Sequence, residues 1–317
     1  MSLEHRADRE PKGTPSPPSP SSSSLPGQSL HTWRTWAITQ AEAANLPVSE
    51  VDWLLQAVTT LDSLALRLET YRDRKQILSR YSLAELTAKW QQRTQAQVPV
   101  QYLVGETQWR QFTLTVTPAV LIPRPETELM VDIVQAQLQQ SPELASGVWV
   151  DLGTGCGAIA LGLADLLPAA TVLATDISEA AIAIARANAQ RNQLAHRIQF
   201  HQGSWFEPLS VFRGQLAGVV SNPPYIPRNL LPQLQPEVQH EPQLALDGGA
   251  DGLDSIRQLI AQARLYLRPQ GLWLAELMAG QAQPVAQLLS ASQYFDVQIH
   301  SDLAGVERFV SARCKNP

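Results

Sequence analysis

From residue 148 onward, the chain alternates short apolar runs with segments of helical periodicity. Strands are predicted at Val148–Val150, Thr171–Thr175, Ile198–Gln202, Gly218–Ser221 and Leu272–Leu277, helices from Ala158, Glu179, Leu253 and Gln281, and two more strands at the end. Strands separated by helices pair in parallel, because each helix crosses over the sheet before the next strand begins. The alternation therefore predicts an α/β fold with a doubly wound, Rossmann-like sheet.

A glycine-rich loop, Asp151-Leu-Gly-Thr-Gly-Cys-Gly157, lies between the first of these strands and its helix. Glycines let a ligand approach the backbone, and the N-terminus of the following helix offers free N–H groups. The loop is therefore a predicted cofactor site. Its spacing also fits a looser dinucleotide fingerprint, so a nicotinamide cofactor is an alternative at this point.

A second loop, Asn222-Pro-Pro-Tyr225, follows the fourth strand. Proline has no N–H and keeps the preceding residue extended, so this loop is stiff and offers acceptors rather than donors. The Asn222 side-chain oxygen and the Pro223 carbonyl could accept the two hydrogens of a planar –NH2 group, with the Tyr225 ring over its face. An ordinary Pro-Pro turn is the simpler alternative.

These two loops are expected to form one site, because ligands bind a doubly wound sheet where the strand order reverses. Asp176 ends the second strand and could bind ribose hydroxyls, or simply precede a helix cap at Ser178. Trp205 could stack on adenine or belong to the core. A nicotinamide enzyme needs a proton relay, but the strand-end loops carry no His or Lys. Methyl transfer needs mainly alignment and desolvation, and is favoured.

The first 120 residues have a different character. Residues 1–28 hold seven serines and six prolines, so we expect a disordered tail. Helical periodicity, with caps at Ser49 and Ser82, predicts a small helical domain over residues 29–98, either a packing module or a recognition domain for a macromolecular substrate. Residues 99–120 are predicted to form a β-hairpin connector, in which Phe112–Val116 pairs with Gln101–Gly105. The remaining 121–317 would form the sheet domain.

The segment Leu121-Ile-Pro-Arg-Pro-Glu-Thr-Glu128 precedes the sheet. Two prolines stiffen the chain around Arg124, and Glu126 and Glu128 then open the next helix, where acidic side chains are favourable. A plain helix start is therefore an alternative to a binding segment.

Composition limits the partners and the compartment. The net charge is −5 and only 17% of residues are charged, so nucleic acid is disfavoured as the main partner. Cys156 and Cys314 are the two cysteines and lack metal-ligand spacing, which favours a reducing compartment and no metal site. No apolar run approaches the roughly 18 residues of a membrane span, and no signal or transit peptide is evident, so we expect a cytoplasmic protein.

Taken together, Asp151–Gly157, Asn222–Tyr225 and Leu121–Glu128 resemble segments of the PrmC/HemK family of release-factor glutamine N5-methyltransferases. Glu241–Gly249 and Asp302–Arg308 are similar to further family segments, and the resemblance covers about residues 30 to 313. It implies a seven-stranded fold that uses S-adenosyl-L-methionine. It also implies methylation of the side-chain amide of the Gln in the Gly-Gly-Gln motif of class I translation release factors.

The resemblance also implies roles for matched residues. Cofactor contacts are expected from Gly153, Thr154, Gly155, Cys156, Gly157, Asp176, Trp205 and Asn222; catalysis and glutamine binding from Asn222, Pro223, Pro224 and Tyr225; further substrate contacts from Arg124 and Glu126. Family members commonly have an acidic residue where this chain has Ser204, so weaker acceptance from adenine is expected.

Class I release factors are the expected protein partners, with no membrane and no nucleic acid as the direct substrate. The alternative is a DNA or RNA exocyclic-amino methyltransferase, which would share both loops but need a basic face. A non-catalytic binding module with this fold is a third possibility.

Overall fold

The computed structural model describes residues 23–315, and the chain divides into two compact units, Met1–Ala96 and Gln97–Pro317. We call them the helical unit and the sheet unit. In the described part of the helical unit, the elements are β1 (Ser23–Leu25), α1 (Gly27–Ala43), α2 (Ser49–Val58), α3 (Ser63–Leu68), β2 (Ile77–Ser79) and α4 (Leu83–Ala96). Its core includes Leu30, Leu54 and Trp90, all fully buried, and the Trp90 indole donates a hydrogen bond to the Ala37 carbonyl (2.9 Å).

Of the two predicted helix caps, the one at Ser82 is confirmed and the one at Ser49 is wrong. Ser82 and Glu85 form the predicted capping box, because the Ser82 N–H donates to Glu85 Oε2 (2.8 Å) and the Glu85 N–H to Ser82 Oγ (3.3 Å). The prediction for Ser49 is wrong. Helical backbone already begins at Val48, so the Ser49 side chain makes no cap. Pro47 is the physical reason, since its fixed φ suits the start of a helix, and its carbonyl already accepts from the Glu50 N–H (3.1 Å).

The predicted tail of residues 1–28 is partly corrected. Residues 1–22 lie outside the described part of the chain, but Ser23–Leu25 pairs antiparallel with Ile77–Ser79, and a helix begins at Gly27. Leu25 is buried, and the Gly27 N–H donates to the Arg74 carbonyl (2.9 Å). A partner strand distant in sequence thus orders a segment whose own composition is that of a disordered chain.

The sheet unit opens with α5 (Val100–Val104) and a hairpin of β3 (Glu106–Trp109) and β4 (Phe112–Thr115), followed by α6 (Leu129–Gln140). The prediction that Gln101–Gly105 is a strand is therefore wrong, and β3 is the partner of β4. Pro99 precedes the short helix and Gly105, at φ +83°, ends it, which are the preferred positions of these residues at helix ends.

A seven-stranded sheet forms the centre of this unit and confirms the predicted α/β fold. Its strands are β5 (Ser146–Leu152), β6 (Ala169–Asp176), β7 (Ile198–Gln202), β8 (Leu216–Ser221), β9 (Leu267–Glu276), β10 (Tyr294–Ser301) and β11 (Glu307–Cys314), with helices α7 (Ala158–Leu166), α8 (Glu179–Arg191), α9 (Asp254–Ala263) and α10 (Ala282–Ala291). The order is β10-β11-β9-β8-β5-β6-β7, and β11 is antiparallel to both of its neighbours. Apolar clusters cover both faces, one containing Trp149 and the other Trp273.

The strand order reverses between β5 and β8, which are parallel neighbours in the middle of the sheet. Gly218 on β8 pairs with Trp149 on β5, and a Cβ at Gly218 would lie 2.2 Å from the indole ring. At the carboxyl ends, the Ser221 hydroxyl donates to the Leu152 carbonyl (2.7 Å). The glycine loop and the Asn222 loop therefore leave the sheet side by side, as predicted. No helix within residues 23–315 is long and apolar enough to cross a membrane.

Candidate active site

A cavity of about 300 Å³ opens at this edge of the sheet unit. The strand-end loops line it, together with two further segments, residues 119–121 and 242–245. The lining includes Gly153, Gly155, Asp176, Ser204, Trp205, Asn222, Pro224, Val120, Leu121, Pro242 and Leu244. Five of the predicted cofactor residues thus share one cavity. Its volume is within the range of small-molecule sites.

Three residues of the glycine loop support the cavity without lining it. The Thr154 hydroxyl donates to Asp151 Oδ2 (2.6 Å), and the Cys156 carbonyl accepts from Asn188 Nδ2 (2.8 Å). Gly157, at φ +87°, allows α8 to approach, since a Cβ there would lie 3.1 Å from Ala185 Cβ. Burial raises the pKa of the Cys156 thiol to about 12, so this thiol stays protonated.

Asp176 ends β6 with its carboxylate on the cavity wall. Its Oδ2 accepts from the Gly155 N–H and its Oδ1 from the Ser178 N–H, both at 2.9 Å, while the Ser178 hydroxyl caps α8 by accepting from the Ala181 N–H (3.2 Å). Burial raises the pKa of this carboxyl, and hydrogen bonding from the N–H groups of Ser178, Gly155 and Ile177 opposes the shift. Each oxygen retains a lone pair for a ligand hydroxyl. These two acceptors therefore fit the ribose hydroxyls of S-adenosylmethionine.

Trp205 and Ser204 lie on the adjoining wall, after β7. Trp205 has a left-handed backbone (φ +49°), and its half-buried ring would be 3.4 Å from a Cβ at Gly153. The ring thus forms a flat apolar surface beside the glycine loop, suited to an aromatic base. The Ser204 N–H donates to Glu207 Oε2 (3.3 Å). Roles for both residues toward adenine remain predictions.

A chain of hydrogen bonds, which we call the Asn222–Glu276 network, connects the Asn222 side chain to Thr127, Glu276 and Tyr225. Asn222 Nδ2 donates to Thr127 Oγ1 (3.3 Å), and the Thr127 hydroxyl donates to Glu276 Oε2 (2.7 Å). The Tyr225 hydroxyl donates to Glu276 Oε1 (3.4 Å). Among the described residues, no donor bonds to Asn222 Oδ1 or to the Pro223 carbonyl. Both acceptors therefore have free lone pairs, and their use by a substrate –NH2 group stays a prediction.

Glu276 is buried at the carboxyl end of β9, beside Asn222. Burial raises its pKa to about 7, and the hydrogen bond from Thr127 and the charge of Arg308 oppose this. Burial and the neighbouring Glu276 charge raise the pKa of Tyr225, so its hydroxyl keeps its proton and can donate.

Arg124 and Glu126, the predicted substrate contacts, do not line the cavity. The Arg124 guanidinium donates to Glu241 Oε1 (2.6 Å), and burial raises the pKa of Glu241. This ion pair connects two of the segments that line the cavity, because Arg124 follows residues 119–121 and Glu241 precedes 242–245. Glu126 is exposed, and its charge acts on Arg308 and Glu276. A substrate contact by either residue stays a prediction.

Sequence reasoning missed Thr127, Glu276 and the cavity-lining Leu244. A signal existed for Glu276, since it is a charged residue at the end of the predicted apolar strand Leu272–Leu277, where ligand sites of parallel sheets lie. Thr127 and Leu244 carry no such signal, because neither residue type is unusual in its segment.

Comparison with known proteins is consistent with this geometry. A family model described as "Methyltransferase small domain" matches residues 126–232. A release factor glutamine methyltransferase from Synechocystis sp. is 54% identical over 90% of this chain and 97% of its own length. Another from Thermosynechococcus vestitus is 45% identical over 91% of this chain and 99% of its own.

Among solved structures, the hMettl16 catalytic domain in complex with the MAT2A 3′UTR hairpin 6 aligns with 82% of this chain and 88% of its own. Its TM-score of 0.53 at 13% identity shows a shared fold alone. The two curated relatives, by contrast, match nearly the whole chain at identities well above those of a shared fold. The chain therefore belongs to the release factor glutamine methyltransferase family.

Proposed function

We propose that this S-adenosylmethionine-dependent methyltransferase methylates the side-chain amide nitrogen (N5) of the glutamine in the Gly-Gly-Gln motif of class I release factors. One observation carries the proposal: two acceptors, Asn222 Oδ1 and the Pro223 carbonyl, bond to no donor among residues 23–315 and follow β8 beside a nucleoside-sized cavity. A primary carboxamide has the two hydrogens that these acceptors require. The curated relatives carry the name of this activity.

The cofactor supplies an electrophilic methyl group on a positively charged sulfur. The chain's own residues must present the nitrogen, which is a poor nucleophile because its lone pair is delocalised into the amide carbonyl. Asn222 Oδ1 and the Pro223 carbonyl would accept both N–H hydrogens and so fix the nitrogen in position. These hydrogen bonds also stabilise the positive charge that develops on the nitrogen as the N–C bond forms, mainly in the transition state. In the balanced reaction an N–C bond forms, the S–C bond breaks, and one amide proton leaves to solvent.

The direct test is transfer of labelled methyl to an intact release factor and to its Gln-to-Ala tripeptide variant. We expect label on the first and none on the second. No label on the first, or equal label on both, would contradict the proposal. An adenine-containing RNA or DNA oligonucleotide is the third arm, and label there would favour the exocyclic-amino alternative.

Selectivity for a protein must come from surface outside the amide acceptors, since Asn222 and Pro223 cannot tell a carboxamide from an adenine amino group. We assign this recognition to the helical unit. Leu64 and Leu68 lie one turn apart on α3, 60% and 59% exposed, so they share a face. Arg67, Arg74 and Lys75 nearby in sequence are exposed. An apolar strip with basic neighbours suits a protein surface with exposed apolar and acidic side chains.

The double substitution Leu64→Glu/Leu68→Glu should raise the KM for the release factor by about tenfold, since it places charge on an apolar contact. The kcat and the S-adenosylmethionine affinity should stay unchanged, because the cavity lies wholly within the sheet unit. Steady-state kinetics and calorimetry measure these quantities. Leu265→Glu, at a 46% exposed leucine of the sheet unit, is the matched control. An unchanged KM in the double variant would place recognition elsewhere.

A further inference from the structure

Glu276 is a buried carboxylate with no ion pair among the described residues, and both of its oxygens face hydroxyl groups. Such a group is costly to keep ionised, and an apolar residue would suit the end of a buried strand better. Its partners are Thr127, 149 positions away, and Tyr225 in the amide-accepting loop. Tyr225 belongs to the loop that would hold the reacting nitrogen, and Thr127 bonds to Asn222 of the same loop.

The direction of the hydrogen bonds follows from the chemistry of the groups. An ionised carboxylate only accepts, so the Thr127 hydroxyl hydrogen is committed to Glu276 Oε2. The Thr127 oxygen then has lone pairs but no hydrogen for Asn222, and only the –NH2 end of Asn222 can face it. The Asn222 oxygen must therefore face the ligand side.

We propose that Glu276 is a positioning residue, which acts through Thr127 to keep the Asn222 side-chain amide in the orientation that accepts from the substrate. This inference rests on the proposed function, because that orientation is useful only toward a substrate –NH2 group. With the amide reversed, Asn222 would present N–H groups to the N–H groups of the substrate, and the methyl acceptor would not be held.

Protonation of Glu276 removes this control. A carboxylic acid can donate to Thr127 Oγ1, and the Thr127 hydroxyl is then free to donate to Asn222 Oδ1, which stabilises the reversed amide. Thr127 and Tyr225 contact Glu276 by hydrogen bonds, and the charges of Arg308 and Glu126 act on its pKa. Arg308 favours the ionised form, and burial and Glu126 favour the protonated form. Burial raises the pKa of Glu276 to about 7. The Asn222–Glu276 network is therefore complete above that pH, where Glu276 is ionised, and is lost below it.

The kinetic test uses the full chain with a release factor as the substrate. In the wild type, kcat should rise with pH through about pH 7. Glu276→Gln should lower kcat by about 10–100-fold, because misplacement of a reacting group by about 1 Å costs a factor of this size, and should abolish the pH-dependent rise. The KM should change little. A Glu276→Gln enzyme with the wild-type kcat and the same pH profile would overturn the proposal.

Thr127 provides a second, near-isosteric test. Thr127→Val removes the bridge and should lower kcat as Glu276→Gln does, whereas Thr127→Ser keeps the hydroxyl and should stay within about threefold of the wild type. The double variant should be no worse than either single variant, because the two residues act as one chain. Additive losses would contradict the proposal. Thr107→Val, a buried threonine of β3 outside the cavity, is the matched control and should keep wild-type activity.

A measurement without substrate separates this inference from the proposed function. The side-chain ¹H–¹⁵N resonances of Asn222 should shift with pH as Glu276 titrates near pH 7 in the wild type, and should not in Glu276→Gln or Thr127→Val. If the Asn222 resonances of the wild type do not change with pH, the inference is wrong. Absence of methyl transfer by the wild type, with these shifts present, would instead overturn the proposed substrate.

Discussion

Replacing Asn222 by alanine is expected to lower kcat by about 10²–10³-fold, the size of the loss when a positioned hydrogen-bonding group is removed from a transition state. The Asn222 side chain supplies one of the two acceptors for the amide hydrogens, and its contribution is largest when charge develops on the nitrogen. The KM for the release factor should change only a few-fold, because the contact is small beside a protein interface. Single-turnover transfer of labelled methyl measures the effect.

Asn222→Asp is the informative companion, since it keeps an oxygen acceptor but loses the Nδ2 donor that bonds to Thr127. It would also place a second carboxylate near the Glu276 carboxyl, which should raise the pKa of one of them. We expect kcat between those of Asn222→Ala and the wild type. Activity of Asn222→Ala within a few-fold of the wild type, with unchanged thermal stability, would remove Asn222 from the mechanism.

Replacing Asp176 by alanine is expected to weaken S-adenosylmethionine and S-adenosylhomocysteine binding together by about 100-fold or more. Two charge-assisted hydrogen bonds to the ribose hydroxyls would be lost, each worth about 1.5–3 kcal/mol. The substitution also removes the acceptor for the Gly155 N–H, which helps to shape the glycine loop. Because the two ligands share the ribose, equal losses are expected, and calorimetry measures both.

Asp176→Asn separates charge from shape, since it keeps one oxygen that can accept from Gly155 while removing the negative charge. Its loss of affinity should lie between those of the wild type and Asp176→Ala. If Asp176→Ala binds either ligand as tightly as the wild type, the nucleoside lies elsewhere in the cavity and the ribose assignment is wrong.

The sequence was sufficient to predict the central sheet and two of the loops that line the cavity. The strand Ile198–Gln202 and the first residue of the helix Ala158–Leu166 have the predicted bounds. Apolar runs and helical periodicity are local patterns, and the rules of parallel sheets then place the loops after β5 and β8 together. Errors arose where local patterns competed or where a segment distant in sequence decided the structure. Residues 101–104 belong to a helix and not to a strand, Ser49 is the first residue of its helix and not its cap, and Ser23–Leu25 is ordered by a distant strand.

Only the tertiary structure decided how the site is supported. Thr127 and Glu276 are 149 positions apart and Arg124 and Glu241 are 117 apart, and neither pairing has a sequence pattern that predicts it. The pKa of Glu276 is raised to about 7 by burial, which exists only in the folded chain. Sequence periodicity reports which side of an element is buried, whereas hydrogen bonds and desolvation depend on which side chains from distant segments share that interior.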